Sequence, residues 1–464
     1  MNWRPWVGAL GLGLGLGSGG SAGQSFVTER CDQPSDCTGE AKFCVDGACV
    51  LTCLTDDECD PFGDHRFCID GSCEICRDDT TCTRPSASVC DASTHACRGC
   101  QADSECDGGV CIDATGTCVL DQDVAFVSTG AVATACTRDQ PCGTIAAAEA
   151  VLTGAKQVIH VLGPSFTDPN IIVTHAGAPL VIDGENTTWG DGVLAPLVIA
   201  EPADITIEGF SFVVPPPTSG DAGLTVSGAV TVTLFDVDIP TRAGKAMVVN
   251  GGATVTMSSS HIGTTKASTA MTIECSNATL VLERNQLDSI TLADGHFCNL
   301  TGTHNRFNSV DAPAMDLTGA LVTVENNVFV WESMITSGLT LTSSSDASVV
   351  RFNDLVDLGG FGSVGVTCDS SVVITSNIFA VRGSTPVVGC TPRYSVFDSQ
   401  STVPDGVGNI GSEFLFSDSA FHLANDSPAK GAAEPGQNID DDFEGNARPN
   451  PAGTRSDSGA FEAP

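Results

Sequence analysis

Along the second half of the chain the apolar residues fall into one recurring pattern, V-x-[VIL]-x-x-[ND]-x-[FIL]. It is plain at LVLERNQL from Leu280, LTGTHNRF from Leu300, VTVENNVF from Val322 and VVITSNIF from Val372. Looser copies begin at Leu180, Ile205, Val232, Val255 and Val349, so successive copies start 20 to 27 residues apart. A further short apolar stretch precedes most copies, as in GLTV at Gly223, AMVV at Ala246, AMTI at Ala270, AMDL at Ala314 and GVTC at Gly365. Alternation with a period of two reads as short strands, and the Gly, Ser, Asn and Asp between them read as turns. A unit of this length made only of strands and turns predicts one coil of a right-handed parallel β-helix, resting on the next at about 4.8 Å. Leucine-rich repeats share the period but need a different leucine pattern, and propeller blades need roughly 40 residues or more. The predicted fold class is therefore all-β, a parallel β-helix solenoid.

Three details bear on that reading. Asn285, Asn305, Asn327 and Asn377 share the sixth motif position, and Asp354 takes it in the copy from Val349. Asn tolerates the left-handed backbone of a tight turn, and its amide can bond the residue above and below, which predicts a structural Asn ladder. Cys368 and Cys390 are 22 residues apart and Cys275 and Cys298 are 23 apart, one coil in each case, so each pair is expected to form a disulfide. Cys136 and Cys142 complete the disulfides expected in this half. Finally, TIAAAEAVLTG at 144–154 predicts the one convincing helix, N-capped by Thr144 and ended by Gly154. It precedes the first coil, where an exposed solenoid core needs a lid.

The first part of the chain is organised by cysteine instead. Sixteen of the 22 cysteines lie between Cys31 and Cys118, in four groups of four that each open with C-x5-C: CDQPSDC, CLTDDEC, CRDDTTC and CQADSEC. A unit of about 23 residues cannot bury a core of its own, so disulfides are expected to replace it. Four cysteines per unit allow three pairings, and the sequence does not choose among them. CEIC at Cys73–Cys76 and CRGC at Cys97–Cys100 also have the spacing of zinc knuckles, the rival reading. Residues 1–23, with Arg4 followed by an apolar stretch and SGGSAG, read as a secretory signal, which makes disulfides the better expectation. The expected organisation is a signal at 1–23, cysteine-rich repeats at 24–119, the β-helix at 120–420 and a C-terminal segment at 421–464.

Composition narrows the function. Lys and Arg number 20 against 57 Asp and Glu, a net charge of −37, which excludes a nucleic-acid backbone as the main partner. Beyond the signal no apolar run is long enough for a membrane span.

The stretch DVAFVSTG through CGTIAAAEAVLTGAKQVIHVLGPSF, Asp123 to Phe166, resembles the N-terminal cap and first coil of secreted β-helix proteins of the pectate-lyase-like superfamily. The end, Phe421 to Pro464, with its SPA…G, D…G-x-x-RP and D-x-GA-x-E elements, resembles the choice-of-anchor segment of bacterial surface β-helix proteins. The cysteine block is similar to the Dickkopf N-terminal type of repeat. These resemblances imply bacterial export to the cell surface or medium. They leave activity open, because such folds host lyases, hydrolases and adhesins alike.

Candidate chemistry follows from that choice. The basic pair Arg284 and Arg306 lies beside His304 on adjacent predicted coils, with Glu283 and Glu325 at the fourth motif position; this is the candidate lyase or hydrolase site. Trp189, Trp331 and Tyr394 are the candidate sugar platform. No cofactor is required, and calcium has one candidate position among Asp440, Asp441, Asp442 and Glu444. The favoured function is non-catalytic, an exported adhesin-like protein contacting polysaccharide or another surface component. A polysaccharide lyase or glycoside hydrolase and a structural envelope spacer are the alternatives.

Overall fold

The computed structural model describes residues 67–463 apart from short connections, preceded by Phe43–Val45, Ala48–Val50 and isolated residues as far as Cys59. The expected signal and the first two cysteines, Cys31 and Cys37, lie outside the described residues, as do the side chains of Cys44 and Cys49. The chain divides into two compact units, Met1–Asp121 and Gln122–Pro464.

The first unit is a series of antiparallel hairpins, among them Phe67–Ile69 with Ser72–Glu74, Val89–Cys90 with Cys97–Arg98, and Gly109–Ile112 with Thr117–Leu120. Each hairpin is stapled by two disulfides, and the pairing left open by the sequence is the same in all three described groups: first to third and second to fourth. Cys53 joins Cys68 and Cys59 joins Cys73; Cys76 joins Cys90 and Cys82 joins Cys97; Cys100 joins Cys111 and Cys106 joins Cys118. The two cysteines of each C-x2-C therefore belong to different disulfides, which removes the zinc reading. One carboxylate per repeat completes the fold. Asp56, Asp79 and Asp103, each three residues after the first cysteine, accept the backbone N–H of the third cysteine, from Cys68, Cys90 and Cys111 at 2.8, 2.7 and 2.8 Å. The motif is thus C-x2-D-x2-C, a polar staple inside a covalent one. Disulfides at this density belong to an oxidising compartment.

The second unit is a parallel β-solenoid. Three stacks of short strands run its length, and every described pairing between coils is parallel. In the first stack the inward register is Ile205, Val232, Val255, Leu280, Leu300, Val322. In the second it is Ile262, Leu287, Phe307, Phe329, Leu355, Phe379, Phe397. The third carries Met247, Ile273, Leu292, Met315, Leu339 and Val366. Like sits on like, and aromatic rings stack where they meet: Phe307 on Phe329 at 4.6 Å and Phe379 on Phe397 at 4.9 Å between centroids.

The recurring motif proves to be the corner between the first and second stacks. One residue there takes the left-handed conformation in each coil, including Ser259 (φ 52°), Arg284 (55°), His304 (58°), Asn326 (53°), Phe352 (56°) and Ser376 (58°). In the coil from Ile205 that position is Gly209, where a Cβ would lie 2.9 Å from the backbone nitrogen of Glu185. The asparagines follow this residue and form a continuous chain. Asn285 donates from its backbone N and Nδ2 to Oδ1 of Asn305 at 3.0 and 2.9 Å, and Asn305 does the same to Asn327 at 2.8 and 3.0 Å. Asn327 donates likewise to Asn353, and Asn353 to Asn377. Ser260 begins the ladder and Ser395 continues it beyond Asn377.

Two sequence expectations need correction. The ladder member in the coil from Val349 is Asn353, not Asp354, because Val349 pairs with Thr323 and the inward position before it is filled by Ser348, whose hydroxyl accepts from Val322 N at 3.1 Å. A hydroxyl in an apolar register shifted the apparent start by one residue. The left-handed residue, moreover, is the one before each Asn, so the Asn is selected for hydrogen bonding rather than backbone freedom.

The predicted helix is present but shorter, Ile145–Glu149, with Thr144 Oγ1 accepting from Ala147 N at 3.1 Å. Ile145 and Ala148 are buried, and Val151 and Leu152 leave the helix to pack on the same core. The disulfides Cys275–Cys298 and Cys368–Cys390 each join cysteines with Cα atoms 5.5 Å apart, and Cys136 pairs with Cys142 at 4.7 Å.

The two N–H groups of Asn327 Nδ2 are shared among three acceptors, Gly302 O, Glu325 O and Asn353 Oδ1, and its Oδ1 accepts two bonds, all buried or nearly so. Asn327→Asp keeps the shape but sets a carboxylate oxygen against the acceptors Gly302 O and Asn353 Oδ1. It is expected to lower the unfolding free energy by roughly 3 kcal/mol or more in urea titration, whereas Asn299→Asp, on the exposed outer face, leaves it nearly unchanged.

Candidate functional site

A strand buried on one face alternates, and the first stack does so: in Leu321–Glu325 only the inward residues are buried. The second stack changes character along its length. In Val328–Trp331, Asp354–Asp357, Ile378–Ala380 and Val396–Asp398 every residue is buried. A strand buried on both faces needs a cover. The cover is the chain's own C-terminal segment, whose Phe421, Leu423, Ala429, Ala460 and Phe461 pack on Val328, Val330, Val356, Ile378 and Val396. The segment expected to cap the solenoid thus lies along its flank.

Its sequence elements account for this. Asp442 accepts from the backbone of Glu444, Asn446 and Glu462. Arg448, with a fully buried side chain, donates to the carbonyls of Asp457 and Gly459 and stands over the Phe352 ring at 5.0 Å. Asp457 holds Gly431 N and Ala463 N, and Glu462 holds Asn450 N and Asp457 N. Gly459 donates to Ser376 O at 2.9 Å, and a side chain there would strike Asp354 and Ile378. The residues Asp442, Arg448, Asp457, Gly459 and Glu462 of these elements are thus the segment's own polar frame. Under it lies Asp354, wholly buried, with Oδ1 accepting from Ala460 N at 3.1 Å and Oδ2 unpartnered; burial raises its pKa to about 7.

The same segment clasps the corner residues singled out from the sequence. Arg284 pairs with Glu283 at 2.6 Å and approaches Asp441 at 3.8 Å. His304 Nε2 meets Asp441 at 3.2 Å, and Asn326 donates to the Asp441 carbonyl at 2.7 Å. Burial, helped by Arg284, lowers the His304 pKa, and its Nδ1 is buried without a partner. Glu325 is held by Arg351 at 2.6 Å, and Arg351 also donates to Gln437. Glu434 receives Arg393 and the Thr375 hydroxyl. Arg306 leaves this cluster for the second stack, over the Phe421 ring and on Asn308. The register sets Thr303 between Glu283 and Glu325, so these carboxylates stand two coils apart.

The aromatic platform is overturned. Trp189 and Trp331 are 3% and 0% exposed, packed inside the solenoid, Trp189 against Phe166, Phe210 and Phe212. Tyr394 is half-buried at the corner beneath Arg455. Large rings fill the wide second-stack interior, and their strand position fixed them inward. The acidic run also divides: Asp440 is exposed, Asp441 faces His304, Asp442 binds backbone N–H groups and Glu444 pairs with His422 at 2.8 Å.

What the sequence reading missed is an open polar strip on the second stack, immediately before the covered part. Its centre is His261, whose Nδ1 meets Asp238 at 2.8 Å and whose Nε2 meets Asp288 at 3.2 Å. Ser211 donates to Asp238 at 3.3 Å, while Gln286 and Asn308 donate to Asp288 at 2.8 and 2.6 Å. The hydrogen bonds to Asp238 and then Asp288 raise the His261 pKa to about 9. Burial pushes Asp288 upward, but His261, Asn308 and Gln286 together hold it below the usual carboxylate range. Side chains of Asp238 and His261 remain 45% and 38% exposed, and Gln286 is exposed. The signal was present as polar residues in the motif's second strand, at positions masked by the focus on the first.

These features define a parallel β-solenoid flanked by its own C-terminal segment, with a disulfide-stapled repeat unit before it. Compared with known protein families and with curated proteins, the chain matches none. Among the described residues no helix is long and apolar enough to cross a membrane.

Two pH effects follow. His261 binds its proton more tightly when folded, so its contribution is complete below about pH 6.5 and lost as pH rises through about 9; imidazole NMR shifts should titrate near 9, and Asp238→Asn should move the midpoint down. Asp354 also holds its proton more tightly when folded, so its burial costs stability as pH rises from about 4 through about 7. Asp354→Asn keeps the acceptor for Ala460 N and should raise the unfolding free energy by roughly 2 to 4 kcal/mol at pH 8, with little change at pH 4.

Proposed function

We propose that this chain is an exported, non-catalytic surface protein that binds polysaccharide through the polar strip of the second stack, Ser211, Asp238, His261, Gln286, Asp288, Arg306 and Asn308. One observation carries the reading: the second-stack outward face is closed over its apolar length by the chain's own segment and left open where it is polar. The exposed groups are carboxylate, amide, imidazole and guanidinium, the donor and acceptor set that matches sugar hydroxyls. Their mutual hydrogen bonds fix them before a ligand arrives, which lowers the ordering cost of binding.

Binding is favoured over turnover by the state of these groups. A glycosidase needs one carboxyl raised to act as acid and a second free as base or nucleophile. Asp288 is held low and buried, and the His261 ring stands between it and Asp238. At the corner, His304 and Arg284 are engaged by Asp441, so a lyase there begins with its basic groups already paired. With a net charge of −37, a neutral polysaccharide is a better partner than an acidic one. Export and surface attachment are supported by the disulfide-dense first unit and by the resemblance of the C-terminal segment.

The test is a glycan-array screen of the full chain followed by affinity electrophoresis on the best neutral polymer. Asp238→Ala and Arg306→Ala are each expected to weaken retention about tenfold with no release of reducing or unsaturated ends by any form. Retention unchanged in both variants, or turnover of the polymer, would overturn the proposal.

A further inference from the structure

The outward row beneath the C-terminal segment is aliphatic but for one member. Register places Val328, Asp354, Ile378 and Val396 one above another on the second stack. The two valines and the isoleucine meet Phe421, Leu423, Ala429 and Ala460 of the segment, so burial of apolar surface holds the two together. Asp354 lies within this contact, wholly buried, with one hydrogen bond, from Ala460 N to Oδ1. Its Oδ2 has no hydrogen-bond partner among the described residues. An asparagine would accept the same bond and carry no charge. A carboxyl group adds the ability to lose a proton, and here the loss leaves a charge in an apolar contact.

The groups around Asp354 leave that charge poorly compensated. Two basic side chains act on it, Arg448 and His422, both from the segment. Arg448 gives Nη1 and Nη2 to the carbonyls of Asp457 and Gly459, and its Nε is buried without a hydrogen bond. It also serves Glu462, 3.7 Å away, and the carboxylates of Asp442 and Asp457. His422 is paired with Asp418 and Glu444. On the solenoid side the row neighbours Val328 and Ile378 carry no charge. The same contact leaves other polar atoms buried without partners: His304 Nδ1 and Asn326 Oδ1 beside Asp441, and Ser456 Oγ within the segment. Groups in this state weigh against closure, and water satisfies them on opening.

We infer that Asp354 is a proton-operated latch for the C-terminal segment. With the carboxyl protonated, the segment lies closed along the second stack. Loss of that proton to solvent shifts the segment toward an open form in which the coils stay stacked. The coils can stay stacked because the Asn ladder finds its partners within the solenoid. Opening bares Val328, Val330, Val356, Ile378 and Val396 and releases His304 from Asp441. The sign follows from burial, which raises the Asp354 pKa from the ordinary 3.8 to about 7 in the closed form. Closure is therefore firmest below about pH 4, weakens about tenfold per pH unit, and levels off above about pH 7, about a thousandfold weaker in all. The latch is independent of what the polar strip binds.

Hydrogen exchange of the full chain, read by mass spectrometry from about pH 4 to about pH 8 and corrected for the intrinsic rate, tests the latch. The reporting peptide spans Gly459 and Ala460, whose N–H groups bond Ser376 O and Asp354 Oδ1. Its opening constant should rise about a thousandfold across that range. Peptides carrying Asn305 and Asn327 should stay protected under the conditions that expose the segment. Asp354→Asn should keep the segment as firmly closed at the upper pH as the native chain is at the lower, leaving a rise of about tenfold or less. Gly459→Ala, whose added methyl would strike Asp354 and Ile378, should open the segment even at the lower pH and supplies the signature of the open form. The inference is overturned if the native segment exchanges alike at both ends of the range. It is equally overturned if Asp354→Asn keeps the full rise, or if segment and ladder amides open together at every pH.

Discussion

From the coil at Thr231 to that at Val373 the chain turns from its first strand to its second within two residues, and the rest of the structure depends on how that corner is satisfied. The turn takes a left-handed residue, and from Ser260 onward the buried residue after it supplies hydrogen bonds to the neighbouring coils. Asn does this with one short side chain. Its Nδ2 reaches back to a carbonyl of the preceding coil, as Asn305 does to Leu282 O at 2.8 Å, while its Oδ1 takes two donors from the neighbouring Asn. A buried amide left without these bonds costs free energy, so the ladder specifies register as well as stability. The left-handed residue itself points away from the solenoid core and differs from coil to coil: Arg284, His304, Asn326, Phe352 and Ser376 all occupy it.

That variation is what the C-terminal segment exploits. The outward corner residues form an edge of mixed chemistry along the rod, and the segment matches it position by position. Asp441 answers His304 and Asn326, Gln437 answers Arg351, Glu434 answers Thr375 and Arg393, and the buried Arg448 lies on Phe352. In a strongly acidic chain, several of the few basic side chains of the second unit are spent internally here. The apolar strand faces beneath the segment would otherwise be exposed and prone to association. The polar strip of the second stack stays open, and its side chains suit contact with water or sugar.

The first unit solves the opposite problem. Its repeats are too short to bury a core, so crossed disulfides and one aspartate per repeat hold each hairpin. Coil stacking and covalent stapling are two answers to the same constraint, that a unit of little more than 20 residues cannot stand alone.

The sequence by itself determined the parallel coils, their spacing, the ladder asparagines at 285, 305, 327 and 377, and the disulfides between neighbouring coils, because each depends on a repeat visible one coil later. It determined the hairpin repeats for the same reason. The tertiary structure alone decided what covers what. Asn353 was hidden because Ser348 broke the apolar register, and Trp189 and Trp331 read as surface because a residue type carries no record of which strand face it occupies. The fate of Arg284 and His304 was set by Asp441, more than 130 residues away, and the joining of Asp238, His261 and Asp288 by three coils meeting on one face. Repetition along a chain is local information, but contact between its outward faces and a distant segment is settled only when the coils have stacked.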